Sequence, residues 1–223
     1  MSEPHRGVLW EVSGRTLWLT LDRPDRRNAI SSEIREALQI ALSRAESDRE
    51  IDIVVLTGAG GVFCAGADTN ELRQYASREA VAEMISANSK LREQWAGLSK
   101  PTVAAVDGPA YGLGFILALQ SDYVVVTESA RFCLPEARLG LPLSSVEKYV
   151  GRFGPQRANE LAIACRVLSG REAEAWGLAN HVAQDQTALR EAVLDLAANI
   201  LRTPGIRKFA RASGTKHATS ENK

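Results

Sequence analysis

The chain begins with two short runs in which apolar residues alternate with polar ones or cluster together. "GVLWEV" (7–12) and "RTLWLTL" (15–21) concentrate β-branched and aromatic residues on either side of Ser13 and Gly14, which predicts a β-hairpin. A charged loop that a proline interrupts, "LDRPDRRNAI", follows. Residues 32–47 then place apolar side chains at helical spacing, with Ser31 or Ser32 as the N-cap and glutamates in the first turn. This pattern predicts an amphipathic helix.

Three later runs are almost continuously apolar: "IDIVVLTG" (51–58), "PTVAAVDG" (101–108) and "YVVVTE" (123–128). Such runs are typical of strands that are covered on both faces. A long helical region, about 70–98, separates the first two strands. Strands that alternate with helices indicate an α/β domain with right-handed crossovers.

After Pro142 the strand signals fade and helical patterns dominate, at about 144–152, 154–167, 171–177 and 187–202. We therefore expect an α/β core over 1–142, a helical C-terminal region over 143–212, and a polar, disordered tail over 213–223. A chain of 223 residues suits one moderately large domain that buries a substantial core.

The charge balance excludes several classes of partner. Twenty-seven basic residues match twenty-seven acidic ones, so no net charge attracts the chain to nucleic acid or to an acidic membrane. The N-terminus lacks the apolar run of a signal peptide, and no stretch reaches the ~18 apolar residues of a membrane span. These features predict a cytoplasmic protein with neither a nucleic-acid nor a membrane partner.

Cysteine and histidine spacing gives no sign of a metal site. Cys64, Cys133 and Cys165 lie far apart with no CxxC or Cys/His spacing, so buried free thiols are expected. Since the other two histidines lie near the polar termini, a Ser/His/Asp triad would have to use His181. A histidine at the start of a strand is the favoured interpretation of that residue.

Two glycine-containing turns, "FCAGAD" (63–68) and "AYGLGF" (110–115), each follow a buried strand. Loops at the carboxyl ends of strands bind ligands in open α/β folds, and glycine lets a ligand approach the backbone closely. If a helix begins at Leu113, its N–H lacks an intrahelical acceptor. Donors converging from the two loops would form an oxyanion hole, whereas the alternative is that both are only tight turns.

Five segments together resemble the crotonase superfamily of enoyl-CoA hydratases and isomerases. In chain order they are "LTLDRPDRRNAIS", "IVVLTGAGGVFCAGADTNEL", "KPTVAAVDGPAYGLGFILALQSDYVVV", "ARFCLPEARLGLP" and "GREAEAWGLANHV". The resemblance runs from about Val8 to Phe209. It implies an α/β fold built as a spiral of ββα repeats, a shortened helical C-terminal region, and an acyl-CoA thioester ligand. It also implies a homotrimer or a dimer of trimers, with coenzyme A entering as part of the substrate and no separate cofactor.

The resemblance assigns the binding residues one by one. The oxyanion donors fall on the N–H groups of Ala67 and Leu113; the family usually has glycine at the second position, where the main-chain donor survives the change. The loop that holds coenzyme A matches Arg27, Ala29 and Ile30, and the other substrate-binding positions are Asp68 and Ile116. Arg23 and Arg26 either help Arg27 to meet phosphates or are ordinary solvated charges.

The acids distinguish the activities within this family. Family hydratases use two glutamates, one for water and one for the α-carbon proton; Glu136 in "LPEARLG" matches the second, and the position of the first falls on Ile116. An isoleucine neither holds nor deprotonates water. Monofunctional isomerases of the family keep the one glutamate, so the pattern favours an isomerase. Burial among leucines should raise the pKa of Glu136 above the ~4.3 of a free glutamate.

Two departures from the family pattern leave alternatives open. "PLSSVEKYVG" replaces a Gly-Gly-Thr-rich turn, and the lack of an aspartate near Ser144 argues against a dienoyl-CoA isomerase. Glu147 is either a displaced second acid, as in a hydratase, or a helix-surface glutamate. The chain also ends before the final helices of its relatives, which implies altered trimerisation or a shortened form. A catalytically silent acyl-CoA-binding protein, or another enolate-forming enzyme, remains an alternative.

Overall fold

The computed structural model describes residues 3–74, 78–141 and 146–203. Within these ranges the strands are β1 (Glu3–His5), β2 (Val8–Ser13), β3 (Thr16–Leu21), β4 (Ile53–Gly58), β5 (Thr102–Val106), β6 (Pro109–Tyr111), β7 (Tyr123–Thr127), β8 (Arg131–Cys133), β9 (Leu168–Ser169) and β10 (His181–Ala183). The α-helices are α1 (Ser32–Ser47), α2 (Thr69–Gln74), α3 (Arg78–Gly97), α4 (Leu113–Leu119), α5 (Val146–Phe153), α6 (Pro155–Ala162), α7 (Gly170–Ala175) and α8 (Gln186–Leu201). Short 3₁₀ turns span Pro24–Arg26 and Glu136–Leu139.

The large sheet has the order β1-β2-β3-β4-β5-β7-β10. Its first three strands are antiparallel, and β2 pairs with β3 from Val8↔Leu21 to Ser13↔Thr16, which confirms the predicted hairpin. From β3 to β10 all pairs are parallel. The central strands are largely apolar, as is typical of a sheet that is covered on both faces.

Alternate residues of β5 show the two layers of the core. Ala104 and Val106 belong to the larger hydrophobic cluster, which includes residues of α1, α3 and α4. Val103 and Ala105 belong to a second cluster, on the opposite face, with residues of α8. The period of two along the strand therefore assigns each side chain to one layer.

The chain passes repeatedly from the large sheet to a second, smaller one. After β5 it forms β6 and then α4; after β7 it forms β8 and then the 3₁₀ turn at Glu136. Parallel pairing joins β6 to β8, and parallel bridges join Cys64 to Ala110 and Ile30 to Ala67. Each turn of the chain thus adds one segment to each sheet, which is the expected spiral of ββα units.

Helix α1 has the predicted bounds, and the Ser31 hydroxyl accepts from the Ile34 N–H as its N-cap. The long region predicted at 70–98 contains α2 and α3, and the four C-terminal helical patterns correspond to α5–α8, although α6 ends at Ala162 rather than at 167. The C-terminal part also contains β9, which the pattern after Pro142 did not reveal; with two residues, it is too short for a clear period. His181 starts β10, as expected.

Among the described residues, no helix is long and apolar enough to cross a membrane. The predicted tail, 213–223, lies outside the described residues. The three cysteines are buried free thiols, which confirms that prediction, and burial raises the pKa of the Cys64 thiol to about 12.

Candidate active site

The loop at 64–68 is held against the segment at 27–30 by backbone hydrogen bonds. Ala65 N–H donates to Arg27 C=O (3.0 Å), Ile30 N–H donates to Gly66 C=O (2.8 Å), and Asp68 N–H donates to Ile30 C=O (3.0 Å). In a parallel bridge of this kind, Ile30 bonds to the two residues on either side of Ala67. The N–H and C=O groups of Ala67 itself then point to the opposite side. The N–H of Ala67 therefore points away from Ile30.

The start of α4 lies against the same loop. Gly112 has φ +49° and ψ −119°, and its N–H donates to Cys133 C=O (2.9 Å). A Cβ atom on Gly66 would lie 3.5 Å from the Leu113 nitrogen, and one on Gly112 would lie 3.9 Å from the Gly66 Cα atom. Across the described ranges, neither Ala67 nor Leu113 donates its backbone N–H to a protein acceptor. Two free backbone donors thus flank one point of contact between the loops.

Gly114 brings α4 close to the loop that contains Cys64. A Cβ atom at Gly114 would lie 2.6 Å from both the carbonyl oxygen and the Cβ atom of Cys64. Only glycine permits this approach. The second glycine of "YGLGF" is therefore explained by helix–loop packing, and the first by its positive φ.

A cavity of about 130 Å³ opens at this junction. Ala67 and Leu113 line it together with Ile116 and Glu136, so the structure brings these four predicted residues to one place. Further lining residues come from the 64–69 loop, α3, α4, the 135–141 segment and α5: Ala65, Gly66, Thr69, Met84, Ile85, Asn88, Ser89, Arg92, Gly112, Pro135, Leu139, Leu141 and Tyr149. The walls near Leu113 and Ile116 are apolar.

Glu136 stands at the first position of its 3₁₀ turn, with its carboxylate directed towards Gly112. A Cβ atom on Gly112 would lie 3.1 Å from Oε1 of Glu136, and Oε2 is buried without a hydrogen-bond partner among the described residues. Burial raises the pKa of Glu136, as expected, while a hydrogen bond from its own backbone N–H and the charge of Arg92 act in the opposite direction. The carboxylate is thus a poorly solvated base beside the two free N–H groups.

Arg92 of α3 and Tyr149 of α5 also line the cavity, and sequence reasoning missed both. The Arg92 guanidinium donates to the Ser89 hydroxyl (2.9 Å). Burial raises the pKa of the Tyr149 phenol, the charge of Glu136 raises it further, and Arg92 lowers it. The pattern of a single helix gave no signal for either residue, because only packing between turns of the spiral brings them to Glu136.

A sequence model described as enoyl-CoA hydratase/isomerase matches residues 12–223. The chain belongs to this family. It is 35% identical over 181 residues to mevalonyl-coenzyme A hydratase SIDH of Beauveria bassiana, covering 74% of this chain and 62% of that protein. It is 36% identical over 194 residues to enoyl-CoA hydratase EchA19 of Mycobacterium tuberculosis, covering 85% and 73% respectively.

Solved structures of the family share the fold. The crystal structure of an enoyl-CoA hydratase from Bacillus anthracis superposes with a TM-score of 0.88 at 28% identity, covering 93% of this chain and 82% of that one. AtuE of Pseudomonas aeruginosa superposes with a TM-score of 0.86 at 31% identity, covering 93% and 81%. By sequence, the chain spans less than two thirds of the length of the mevalonyl-coenzyme A hydratases from Beauveria bassiana and Aspergillus fumigatus that it resembles.

The residues of this family member that were predicted to bind coenzyme A lie beside the cavity rather than in its walls. Arg27 is exposed and has φ +51°, whereas Ala29 and Ile30 are buried. Asp68 is buried; its carboxylate lies 3.7 Å from Arg23 and accepts from the Asn70 N–H. Arg27 and Ile30 therefore hold the loop that carries Ala67 through their backbone bonds.

Sequence reasoning also missed Asn28, which is fully buried at φ +54°. Its side-chain amide donates to the carbonyl oxygens of Ala59 (2.9 Å) and Val62 (2.6 Å), and its side-chain oxygen accepts from the Arg23 N–H (2.9 Å). Asparagine tolerates this backbone region better than most residues, which was the available signal. Ser144 and the side chain of Glu147 lie outside the described residues.

Proposed function

We propose that this chain is an acyl-CoA enzyme of the enoyl-CoA isomerase type, in which Glu136 moves a proton between two carbons of the acyl group. The observation that carries the proposal is the acid content of the cavity. Among its described lining residues Glu136 is the one carboxylate, and Ile116, the position that the resemblance assigns to the hydratases' other glutamate, lines the same cavity. One base without a second carboxylate among the described lining residues suits a proton shuttle.

The free N–H groups of Ala67 and Leu113 are proposed to bind the thioester oxygen. Removing the proton next to a thioester carbonyl moves negative charge onto its oxygen, and a donor fixed in advance stabilises that charge by typically ~3 kcal/mol. Loop 64–68 and the start of α4 are each held by backbone bonds, so the donors need little rearrangement during the reaction.

The proposed reaction conserves every atom. Glu136 takes a proton from the carbon next to the carbonyl of a 3-enoyl thioester, and the electron pair shifts through the dienolate. The same carboxyl group then returns the proton two carbons further along, so the double bond moves into conjugation. A raised pKa suits a group that must both accept and release this proton. Coenzyme A enters with the substrate, so the proposed reaction uses no separate cofactor.

A hydratase is the second candidate, because several similar proteins carry that name, including the 2,3-dehydroadipyl-CoA hydratase of Escherichia coli. It would need a second acid, for which Glu147 is the proposed source. A silent acyl-CoA-binding protein is the remaining alternative, and it predicts binding without turnover.

The test offers 3-enoyl-CoA and 2-enoyl-CoA separately to the purified protein. We expect isomerisation of the first, and a decrease of ~10²-fold or more in kcat for Glu136→Gln. Glu174→Gln is the matched control, because Glu174 is exposed on α7, and it should keep wild-type turnover. Rapid hydration of 2-enoyl-CoA that survives Glu136→Gln would refute the one-acid mechanism.

A further inference from the structure

Tyr149 is a buried residue whose side chain forms part of the cavity wall. The residue is 1% exposed and lines the cavity. Among the described residues, none forms a hydrogen bond with its hydroxyl. A buried phenol O–H normally has a partner, and the adjoining cavity is where a ligand could supply one.

The protonation state of Tyr149 determines whether the ligand atom beside it is a hydrogen-bond donor or an acceptor. Burial and the negative charge of Glu136 both raise the pKa of the phenol, so it stays protonated at physiological pH. A neutral phenol held in this state acts as a hydrogen-bond donor and is unsuited to be the base that activates water. The matching ligand atom is therefore an acceptor, an oxygen.

The surroundings favour a neutral oxygen over a second carboxylate. The charged groups that act on Tyr149 from the described elements are Glu136 and Arg92. Glu136 would repel another anion in the same poorly solvated space. A hydroxyl or carbonyl oxygen avoids that repulsion. Leu113 and Ile116, in the same cavity, offer it no side-chain donor.

We propose that Tyr149 is a specificity-determining residue whose hydroxyl donates a hydrogen bond to a hydroxyl or carbonyl oxygen on the acyl chain. The site then selects oxygen-substituted acyl thioesters over plain ones of the same length. This inference rests on the proposed acyl-CoA site but not on which reaction that site catalyses. Tyr149 acts on the substrate directly, whereas Glu136 moves the proton.

The test compares four four-carbon ligands by calorimetric titration: butyryl-CoA, the two enantiomers of 3-hydroxybutyryl-CoA, and 4-hydroxybutyryl-CoA. Wild-type protein should bind one hydroxylated ligand about tenfold more tightly than butyryl-CoA. Tyr149→Phe keeps the ring and should reduce that preference to less than about twofold, with the affinity for butyryl-CoA unchanged. Tyr123→Phe is the matched control, since Tyr123 packs on the opposite face of the sheet, and it should retain the preference.

The outcomes separate this inference from the proposed function. Equal binding of all four ligands by wild-type protein, or a preference that survives Tyr149→Phe, overturns the role of Tyr149 alone. A loss of butyryl-CoA affinity in Tyr149→Phe would indicate a structural role and also overturns it. If wild-type protein binds none of the thioesters, the proposed function fails and this inference fails with it. Equal binding by wild-type protein overturns the inference whether or not the variant folds.

Discussion

Glu172 and Glu136 each lie in the first turn of a short helical segment, yet their surroundings are opposite. Glu172 is half-exposed in a capping box: it accepts from the N–H and the hydroxyl of Ser169, whose hydroxyl accepts from the Glu172 N–H. These bonds lower the pKa of Glu172, with the charge of Arg166 adding to them. Glu136 has a buried, unpartnered Oε2, and burial raises its pKa.

The two glutamates have opposite effects on the stability of the folded state: the charge of Glu172 increases it and the charge of Glu136 decreases it. Donors around Glu172 favour its ionised form, so its charge stabilises the folded state. The cavity around Glu136 disfavours the ionised form, so its charge destabilises the folded state. Such conflicts between local stability and side-chain chemistry are expected where a protein carries out a reaction. Four variants test this comparison, from the largest expected effect to the smallest.

Gly112→Ala should displace the Glu136 carboxylate while residue 136 remains a glutamate. Alanine would be strained at φ +49°, ψ −119°, and its Cβ atom would lie 3.1 Å from Oε1. We expect a loss of about 2 kcal/mol in unfolding free energy, measured in urea, together with a fall in turnover. Gly140→Ala is the control: at φ +65° with no atom within 4 Å, it should cost about 1 kcal/mol and leave turnover intact. Equal effects of the two changes would contradict the contact.

Ser169→Ala should remove half of the capping box. The expected loss is about 1 kcal/mol of unfolding free energy at neutral pH, since the Glu172 N–H loses its acceptor. A lowered native pKa means that the folded protein binds fewer protons. The part of the stability that involves Glu172 is therefore present above its unfolded pKa and is lost as the pH falls through the folded one.

The control for Ser169→Ala is Ser47→Ala, which removes an exposed hydroxyl at the end of α1 and should change stability by less than about 0.5 kcal/mol. Chemical denaturation over a series of pH values measures both variants. A loss for Ser169→Ala no larger than that for Ser47→Ala would show that the cap contributes nothing.

Glu136→Gln should have the opposite sign and stabilise the protein by about 1 kcal/mol at neutral pH, because it removes a buried charge. A raised native pKa means that the folded protein binds more protons, so its unfolding free energy falls as the pH rises from the unfolded pKa through the folded one. The stabilisation by Glu136→Gln should therefore be complete above the folded pKa of Glu136 and absent below its unfolded pKa. If Glu136→Gln instead destabilises the protein at neutral pH, the charge of Glu136 does not destabilise the folded state, and the contrast with Glu172 is wrong.

Glu172→Gln should have the smallest effect, a loss of a few tenths of a kcal/mol at neutral pH. Glutamine still accepts from Ser169 in a capping box, and the lost ion pair with Arg166 is largely exposed. Thermal melts at low and high salt measure the change, which should shrink as salt screens the pair. Glu174→Gln on the same helix is the reference. A loss above about 1 kcal/mol would mean that the charge matters more than the cap.

The sequence predicted those elements whose signals are local. Helix α1 and the β2–β3 hairpin have the predicted positions because their periodicity and turn residues suffice, and α2 and α3 occupy the region predicted as helical. Strands β6, β8 and β9 were not predicted, since three residues or fewer carry no recognisable period. Such short strands exist because neighbouring turns of the spiral pair with them.

The sequence by itself determined the α/β class and the family, and it singled out Glu136 and Ile116 as candidate site residues, because these depend on motifs that are contiguous along the chain. Only the tertiary structure decided that Arg92 and Tyr149 share the cavity with Glu136, that Asp68 pairs with Arg23, and that one oxygen of Glu136 is buried without a partner. The physical reason is that burial and electrostatic coupling depend on distances between residues far apart in sequence, which the winding and packing of the spiral set.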